Sequence, residues 1–226
     1  MMTRPEHNVQ IIYGKLALEG ILGLPADPSG VIIFAHGSGS GRLSPRNNFV
    51  ARYLQQNGLA TLLLDLLMPG EAEDRRNVFD IDLLADRLLV AKSWLKEEPR
   101  AEKLRIGYFG ASTGAGAALQ AAARDPSDIQ AIVSRGGRPD LAEAYLPSVT
   151  APTLLIVGGW DEPVIEMNQS AYELLTCEKK LIIIPRATHL FEEPGTLEAV
   201  ADHACKWFLR YLHGTENGEN CGEVIY

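Results

Sequence analysis

Short apolar runs alternate with longer amphipathic stretches along most of the chain. Residues 31–35 form a continuous apolar run, and residues 60–67 and 104–109 are mostly apolar, which is typical of strands buried on both faces of a parallel sheet. Residues 81–96 carry apolar side chains at helical spacing, and residues 196–212 have the pattern of an amphipathic helix. This alternation predicts an α/β fold with a mostly parallel sheet covered by helices on both faces.

The remaining segments fit the same alternation. Residues 9–13 and 15–24 are predicted strands joined at Gly14, which indicates an antiparallel hairpin at the start of the sheet. The charged residues 69–77 are predicted to form a loop. The other predicted elements are helices over 48–57, 114–124 and 162–175 and strands over 129–134, 153–157 and 180–184.

Length and composition indicate one globular domain. The 226 residues are 46% hydrophobic, and we find neither an internal repeat nor an interdomain linker. We therefore predict a single domain over residues 1–213. Residues 214–226 are rich in Gly, Glu and Asn, and we predict that they form a flexible tail.

Net charge and cysteine content indicate which classes of binding partner and which cellular compartment to expect. A formal net charge of −8 argues against nucleic acid or an anionic membrane as the main partner. The three cysteines are widely spaced and are predicted to be reduced thiols. No apolar run approaches the ~18 residues of a membrane span, and the N-terminus has no signal-peptide core. We expect a cytoplasmic protein that is a monomer or a homodimer.

The most informative motif is Gly110-x-Ser112-x-Gly114. It lies between the apolar run 104–109 and a helix rich in small residues. A serine between such a strand and helix sits on a sharp turn that exposes its hydroxyl, and the flanking positions must be nearly free of side chains. The context predicts a nucleophile elbow with Ser112 as the nucleophile.

Two further residues follow predicted strands in the order that a serine triad on this architecture requires. Asp161 follows the strand 153–157, and His189 follows the strand 180–184. Histidine would take the serine proton and the acid would orient the histidine. The sequence therefore predicts Ser112, Asp161 and His189 as the catalytic residues.

Other assignments of these roles stay open. Asp161 has an alternative role as the N-cap of the helix that follows it, with Glu162 or Asp140 then serving as the acid. His189 could instead be a structural loop histidine. In the glycine-rich loop, Ser38 and Ser40 are alternative nucleophiles, although neither lies at a strand–helix turn.

The glycine-rich loop 36–42 directly follows the strand 31–35. Small residues there let backbone N–H groups approach a substrate oxygen, so we predict Thr113 and Ser38 as oxyanion-hole donors. A phosphate-binding loop is the competing interpretation, but neither G-x-x-x-x-G-K-[S/T] nor G-x-G-x-x-G opening a helix is present. No cluster has metal-ligand spacing, and we expect neither a metal nor a cofactor.

These motifs together resemble the α/β-hydrolase fold and, within it, the dienelactone hydrolase-like group. The resemblance covers roughly residues 9–212. It rests on the His36-Gly37 pair, the elbow around Ser112, the Gly-Gly-Trp-Asp sequence ending at Asp161 and the Ala-Thr-His sequence ending at His189. Dienelactone hydrolases proper have a cysteine at the elbow, where this chain has Ser112. The resemblance implies a carboxylic-ester hydrolase more firmly than it implies lactone specificity.

The predicted function is that of a serine hydrolase acting on small ester or lactone-type substrates. Only residues 135–151 are available for an inserted lid, so we expect an open, shallow site without a large lid. Thioester cleavage, acyl transfer and peptide cleavage on the same triad are alternatives. A non-catalytic binding protein of this fold is a further alternative, which the complete triad disfavours.

Three residues are predicted to contact the substrate. Arg135 and Arg138 follow the strand 129–134 and would suit a carboxylate-bearing substrate, as would Arg42 and Arg46 beside the glycine-rich loop. The opposing interpretation is that these arginines pair with nearby acids, such as Asp140. Trp160, next to Asp161, is the third predicted substrate contact.

Overall fold

The computed structural model describes residues 6–213. The predicted flexible tail over 214–226 lies outside the described residues. Within them, no helix has both the length and the hydropathy that crossing a membrane would require.

Eight strands form one sheet in the spatial order β1-β2-β4-β3-β5-β6-β7-β8. Strands β1 and β2 form an antiparallel hairpin, β2 pairs antiparallel with β4, and all other neighbours are parallel. The predicted α/β fold with an antiparallel start is therefore confirmed. The strands are β1 Glu6–Tyr13, β2 Leu16–Gly23, β3 Val31–Ala35, β4 Ala60–Leu64, β5 Ile106–Ala111, β6 Ile129–Arg135, β7 Thr153–Gly158 and β8 Lys179–Ile184.

Helices cover both faces of the sheet. The helices are α1 Pro45–Gln56, α2 Pro69–Ala72, α3 Arg75–Val78, α4 Ile81–Glu97, α5 Thr113–Arg124, α6 Glu162–Leu174 and α7 Thr196–Leu212. Helices α4 and α5 share one buried apolar cluster, whereas α1 and α7 share the cluster on the opposite face. Burial of these side chains is the main force that holds the layers together.

The charged segment predicted as a loop contains two single-turn helices, so that prediction was wrong. Pro69 occupies the first turn of α2, where its missing N–H costs no hydrogen bond. The carboxylate of Asp74 caps α3 by accepting the N–H of Arg76 at 2.9 Å. The sequence did not predict these two helices because the segment is charged and neither helix has an apolar face long enough to show helical periodicity.

The connection from β6 to β7 holds no inserted lid. It contains a 3₁₀-helical segment, Pro139–Ser148, that is interrupted by a kink at Ala142, where the sequence predicts a single short helix. Because all strands from β3 onward are parallel, the loops after β3, β5, β7 and β8 emerge at the same edge of the sheet. That edge carries every residue predicted for catalysis.

Candidate active site

The backbone at Ser112 is held in a strained conformation between β5 and α5. Its φ of 51° and ψ of −122° lie outside the regions that a residue with a side chain prefers. The Ser112 carbonyl accepts hydrogen bonds from the N–H groups of Ala115 and Arg138, both at 3.0 Å. The Ser112 N–H donates to the Arg135 carbonyl at 3.3 Å. These bonds fix the turn from both sides.

Glycine is required beside the elbow because three backbones converge there. A Cβ added to Gly110 would lie 2.4 Å from the Ala115 Cα. One added to Gly114 would lie 2.3 Å from the Ala35 carbonyl oxygen, at the end of β3. Both distances are below any normal van der Waals contact, so the G-x-S-x-G pattern has a steric origin in this chain.

Asp161 and His189 are brought together by the loops after β7 and β8. The Nδ1 of His189 lies 2.7 Å from the Oδ2 of Asp161. Asp161 does occupy the N-cap position of α6, but its side chain makes no capping hydrogen bond. Its carboxylate therefore orients the imidazole, and Nδ1 is the ring nitrogen that donates, leaving Nε2 as the candidate base.

Ser112 and His189 both contact the segment that leaves β6. The Arg135 carbonyl accepts the N–H of Ser112, and a Cβ added to the adjacent Gly136 would lie 3.5 Å from the His189 Cε1. Among the described residues, the Ser112 hydroxyl forms no hydrogen bond with the imidazole. Such bonds are often long before substrate binds and tighten in the complex. The sequence did not indicate that Gly136 lies against His189. Its positive φ of 51° marks a position that suits glycine, but that angle is known only from the structure.

Two backbone N–H groups near the nucleophile have no acceptor within residues 6–213. One belongs to Thr113, the first residue of α5, and the other to Ser38 in the loop after β3. That loop is a tight turn closed by a 3.3 Å hydrogen bond from the Ser40 N–H to the Gly37 carbonyl. Free donors at a helix N-terminus and in a turn are the arrangement that stabilises an oxyanion.

The sequence and the fold of this chain match those of known hydrolases. The family model of the alpha/beta hydrolase fold matches residues 30–155. The chain is also 57% identical to a crystallised dienelactone hydrolase from Anabaena variabilis, covering 93% of this chain and 99% of that one with a TM-score of 0.91. This chain belongs to the α/β-hydrolase family. Within that family it belongs to the dienelactone hydrolase-like group, which confirms the resemblance found in the sequence.

One curated relative and one solved structure of the same fold are also similar to this chain. A Mycobacterium tuberculosis protein provisionally named as a phosphoribosyl transferase is 54% identical over 209 residues, which are 92% of this chain. The chain spans only 47% of that curated relative's length. An α/β serine hydrolase without a lid from Xanthomonas campestris shares the fold with a TM-score of 0.76 at 21% identity, covering 93% of this chain and 96% of its own.

His36 holds the glycine-rich loop of this hydrolase in place. Its Nε2 accepts the Leu66 N–H at 3.0 Å, so the proton is on Nδ1, which donates to the Gly37 carbonyl at 2.9 Å. Burial lowers the pKa of His36, despite opposing effects of the Gly37 carbonyl and Asp65. Sequence reasoning missed this role because Leu66 is 30 positions away in the chain.

Replacing His36 by alanine is expected to lower the free energy of unfolding by about 1–3 kcal/mol at pH 7.5, because the Leu66 N–H loses its buried acceptor. Since the folded-state pKa lies below 6.5, acid favours proton uptake by the unfolded chain. The wild type should therefore lose stability as pH falls below 6.5, by at most about 1.4 kcal/mol per pH unit from this group. Urea unfolding of both proteins from pH 7.5 to 5 measures this; an identical slope in the variant would contradict it.

The two arginines predicted at the rim have different environments. Arg138 forms a two-pronged ion pair with Asp140, at 2.9 and 2.7 Å, and this pair raises the pKa of Arg138. Arg135 is only 7% exposed. Its guanidinium lies 3.4 Å from the Asn47 amide oxygen and 5.8 Å from the centre of the Phe191 ring. Burial, with Arg46 nearby, lowers the pKa of Arg135 to about 10.

The structure also shows the surroundings of the other side chains considered as substrate contacts. Arg42 pairs with Asp65, and Arg46 lies 3.2 Å from Glu192. Trp160 is 61% exposed beside Asp161. Substrate contact by Arg135, Arg138 and Trp160 stays a prediction. The ion pairs of Arg42, Arg46 and Arg138 are those that the opposing interpretation describes.

A cavity of about 410 Å³ lies beside the oxyanion candidates. Its lining includes Thr113 and Ser38, together with Leu67, Met68 and Val78 from the segment after β4. The sequence did not predict this cavity, and the open, shallow shape expected for the site stays a prediction. Part of its lining comes from α2 and α3, the two short helices that the sequence did not predict.

Proposed function

We propose that this α/β-hydrolase is a serine hydrolase that cleaves small ester or lactone-type substrates through an acyl-enzyme. The observation that carries the proposal is the 2.7 Å hydrogen bond between His189 and Asp161, at the edge of the sheet that also carries the strained, half-buried Ser112. A carboxylate that orients a histidine through one ring nitrogen contributes to catalysis when the other ring nitrogen can take a proton from a nucleophile.

The reaction begins with attack on the substrate carbonyl. The Nε2 of His189 takes the proton of Ser112 as the Oγ bonds to the carbonyl carbon, and the C=O pair moves to oxygen. His189 then returns the proton to the leaving alcohol as the tetrahedral intermediate collapses. Water repeats both steps on the acyl-enzyme and releases the acid. Asp161 stays ionised and stabilises the imidazolium form throughout.

The oxyanion is stabilised by the N–H groups of Thr113 and Ser38. Both donors are backbone groups, so their positions depend on the chain and on no side-chain rotamer. His36 and Asp65 supply the bonds that hold the loop carrying Ser38, because Asp65 accepts the Arg42 N–H at 2.6 Å. A donor fixed before reaction stabilises developing charge without reorganisation, and one such donor contributes about 10²–10³-fold in kcat.

The transferase name of the tuberculosis relative does not alter this proposal. About half of that protein lies outside the matched region, and the name describes the whole of it. The residues that carry the present proposal all lie within the region from β3 to α7 of this chain.

Labelling with a fluorophosphonate tests the proposal directly. The probe should modify Ser112, as located by mass spectrometry, because only an activated serine displaces its fluoride. His189→Ala should abolish the label, whereas Ser170→Ala on the exposed face of α6 should keep it. Absence of label on folded protein, or label on Ser38 or Ser40, would refute the assignment of the nucleophile.

A further inference from the structure

The cavity lies on one side of the nucleophile only. Its lining comes from β2, the loop after β3, the segment 65–84 and Thr113. None of its lining residues belongs to the loops that carry Asp161 and His189. In the sheet, β2, β4 and β3 lie on one side of β5, whereas β7 and β8 lie on the other. The cavity and the candidate base therefore flank Ser112 from opposite sides.

This placement decides which part of an ester the cavity receives. The leaving-group oxygen must lie against His189, because His189 protonates it. The carbonyl oxygen must point at the N–H groups of Thr113 and Ser38. The remaining substituent of the carbonyl carbon is the acyl group, and the space beside the oxyanion donors and away from His189 is the cavity.

The walls of the cavity determine the kind of acyl group it can take. Six apolar side chains from the segment after β4 and from α4 line the cavity: Leu67, Met68, Pro69, Ala72, Val78 and Leu84. At about 410 Å³ the cavity is near the small end of the ~300–1,000 Å³ range of ligand pockets. A short or compact apolar group would gain from burial there.

Charge at the cavity is negative on balance. Two carboxylates, Glu19 and Asp65, line it together with one guanidinium, that of Arg42. Arg42 is already paired with Asp65. Within residues 6–213 the Glu19 carboxylate accepts one hydrogen bond, from the neutral Gln10 amide at 2.8 Å, and has no cationic partner. An anionic acyl group would therefore meet an uncompensated carboxylate of the same sign.

We propose that the cavity between the oxyanion loop and the α2–α3 segment is the acyl-binding pocket and selects compact, uncharged acyl groups. The proposal rests on the proposed ester hydrolysis. It makes Val78 and Ala72 determinants of acyl size and Glu19 a determinant of acyl charge.

Acyl size is tested with p-nitrophenyl esters that share one leaving group. Val78→Trp should lower the ratio of kcat/KM for benzoate to that for acetate by about 10-fold or more, because the added ring fills the pocket. Ala72→Trp, at an exposed position on the same wall, should shift the ratio in the same direction. Leu174→Trp on α6 is the matched control and should leave the ratio unchanged, since Leu174 does not line the cavity.

A second series keeps the acetyl group and varies the alcohol. The proposal requires that Val78→Trp shift the acyl series more than the alcohol series. A larger shift in the alcohol series would place the leaving group in the cavity and overturn the proposal, as would unchanged selectivity in both tryptophan variants.

Acyl charge is tested by comparing hemisuccinate and butyrate esters of one alcohol. Glu19→Gln should raise the kcat/KM ratio of hemisuccinate to butyrate by about two- to fivefold, because the like charge is removed at a partly exposed site. No change in that ratio would overturn the charge selection.

Failure of the proposed function would give a different result. If no ester is turned over and no fluorophosphonate label forms on folded wild type, the serine-hydrolase proposal fails. If acetate is turned over and Ser112 is labelled but the tryptophan variants keep wild-type selectivity, only the acyl-pocket assignment fails.

Discussion

Replacing Ser112 by alanine is expected to lower kcat for ester hydrolysis by about 10⁴-fold or more, because the attack on the carbonyl loses its nucleophile. His189→Ala should lose about as much, since the serine hydroxyl is then not deprotonated. The double variant should be little worse than either single variant, because the residues act as one unit. Steady-state rates with p-nitrophenyl acetate, corrected for the uncatalysed rate, measure these losses.

Two serine variants serve as comparisons. Ser40→Ala removes an alternative nucleophile in the glycine-rich loop and is expected to cost less than about 10-fold. Ser170→Ala removes an exposed hydroxyl that donates to the Glu166 carbonyl on α6, and its rate should match wild type. A loss in Ser40→Ala as large as that in Ser112→Ala would move the nucleophile to the loop after β3.

The candidate triad was predictable because its signals are local in the chain. Ser112, Asp161 and His189 each follow an apolar run that forms a buried or edge strand, and parallel strands place their carboxyl ends at one edge. Order and spacing alone therefore predicted which residues share that edge. The 2.7 Å contact of Asp161 with His189 is the geometric counterpart of that order.

The supporting residues were not predictable in this way because their roles depend on distant partners. His36 bonds the backbone of Leu66, and Arg135 turns toward Asn47, 88 positions earlier in the chain. Whether Arg135 lines the site or is buried behind it is a choice of rotamer and of neighbouring helix. Neither the rotamer of Arg135 nor the helix that packs beside it produces a periodic pattern in the sequence.

The cavity was missed for a related reason. Its outer wall is built from two helices of four residues each, α2 and α3. Such single turns are stabilised by caps and by tertiary contacts more than by an amphipathic face. The charged composition of the segment suggested a loop, although its few apolar side chains, Val78 among them, point into the site.

Replacing Gly114 by alanine is expected to lower the free energy of unfolding by about 3 kcal/mol and kcat by about 100-fold. Its Cβ would lie 2.3 Å from the Ala35 carbonyl oxygen and 2.5 Å from that of His36. Both neighbours are backbone atoms, so a rotamer change cannot relieve the overlap. Either α5 or the loop after β3 must move, and each carries one of the two oxyanion donors. Urea unfolding and steady-state kinetics measure the two effects.

Gly70→Ala is the matched control for this substitution. Gly70 lies in the first turn of α2, and a Cβ there would meet no atom within 4 Å. Alanine at that position should keep the stability within about 1 kcal/mol of wild type or raise it slightly, since alanine is the better helix former. If Gly114→Ala behaves like Gly70→Ala in both measurements, the close approach of β3 and α5 does not position the oxyanion donors. If stability falls and kcat is kept, the overlap is relieved at a point away from Thr113 and Ser38.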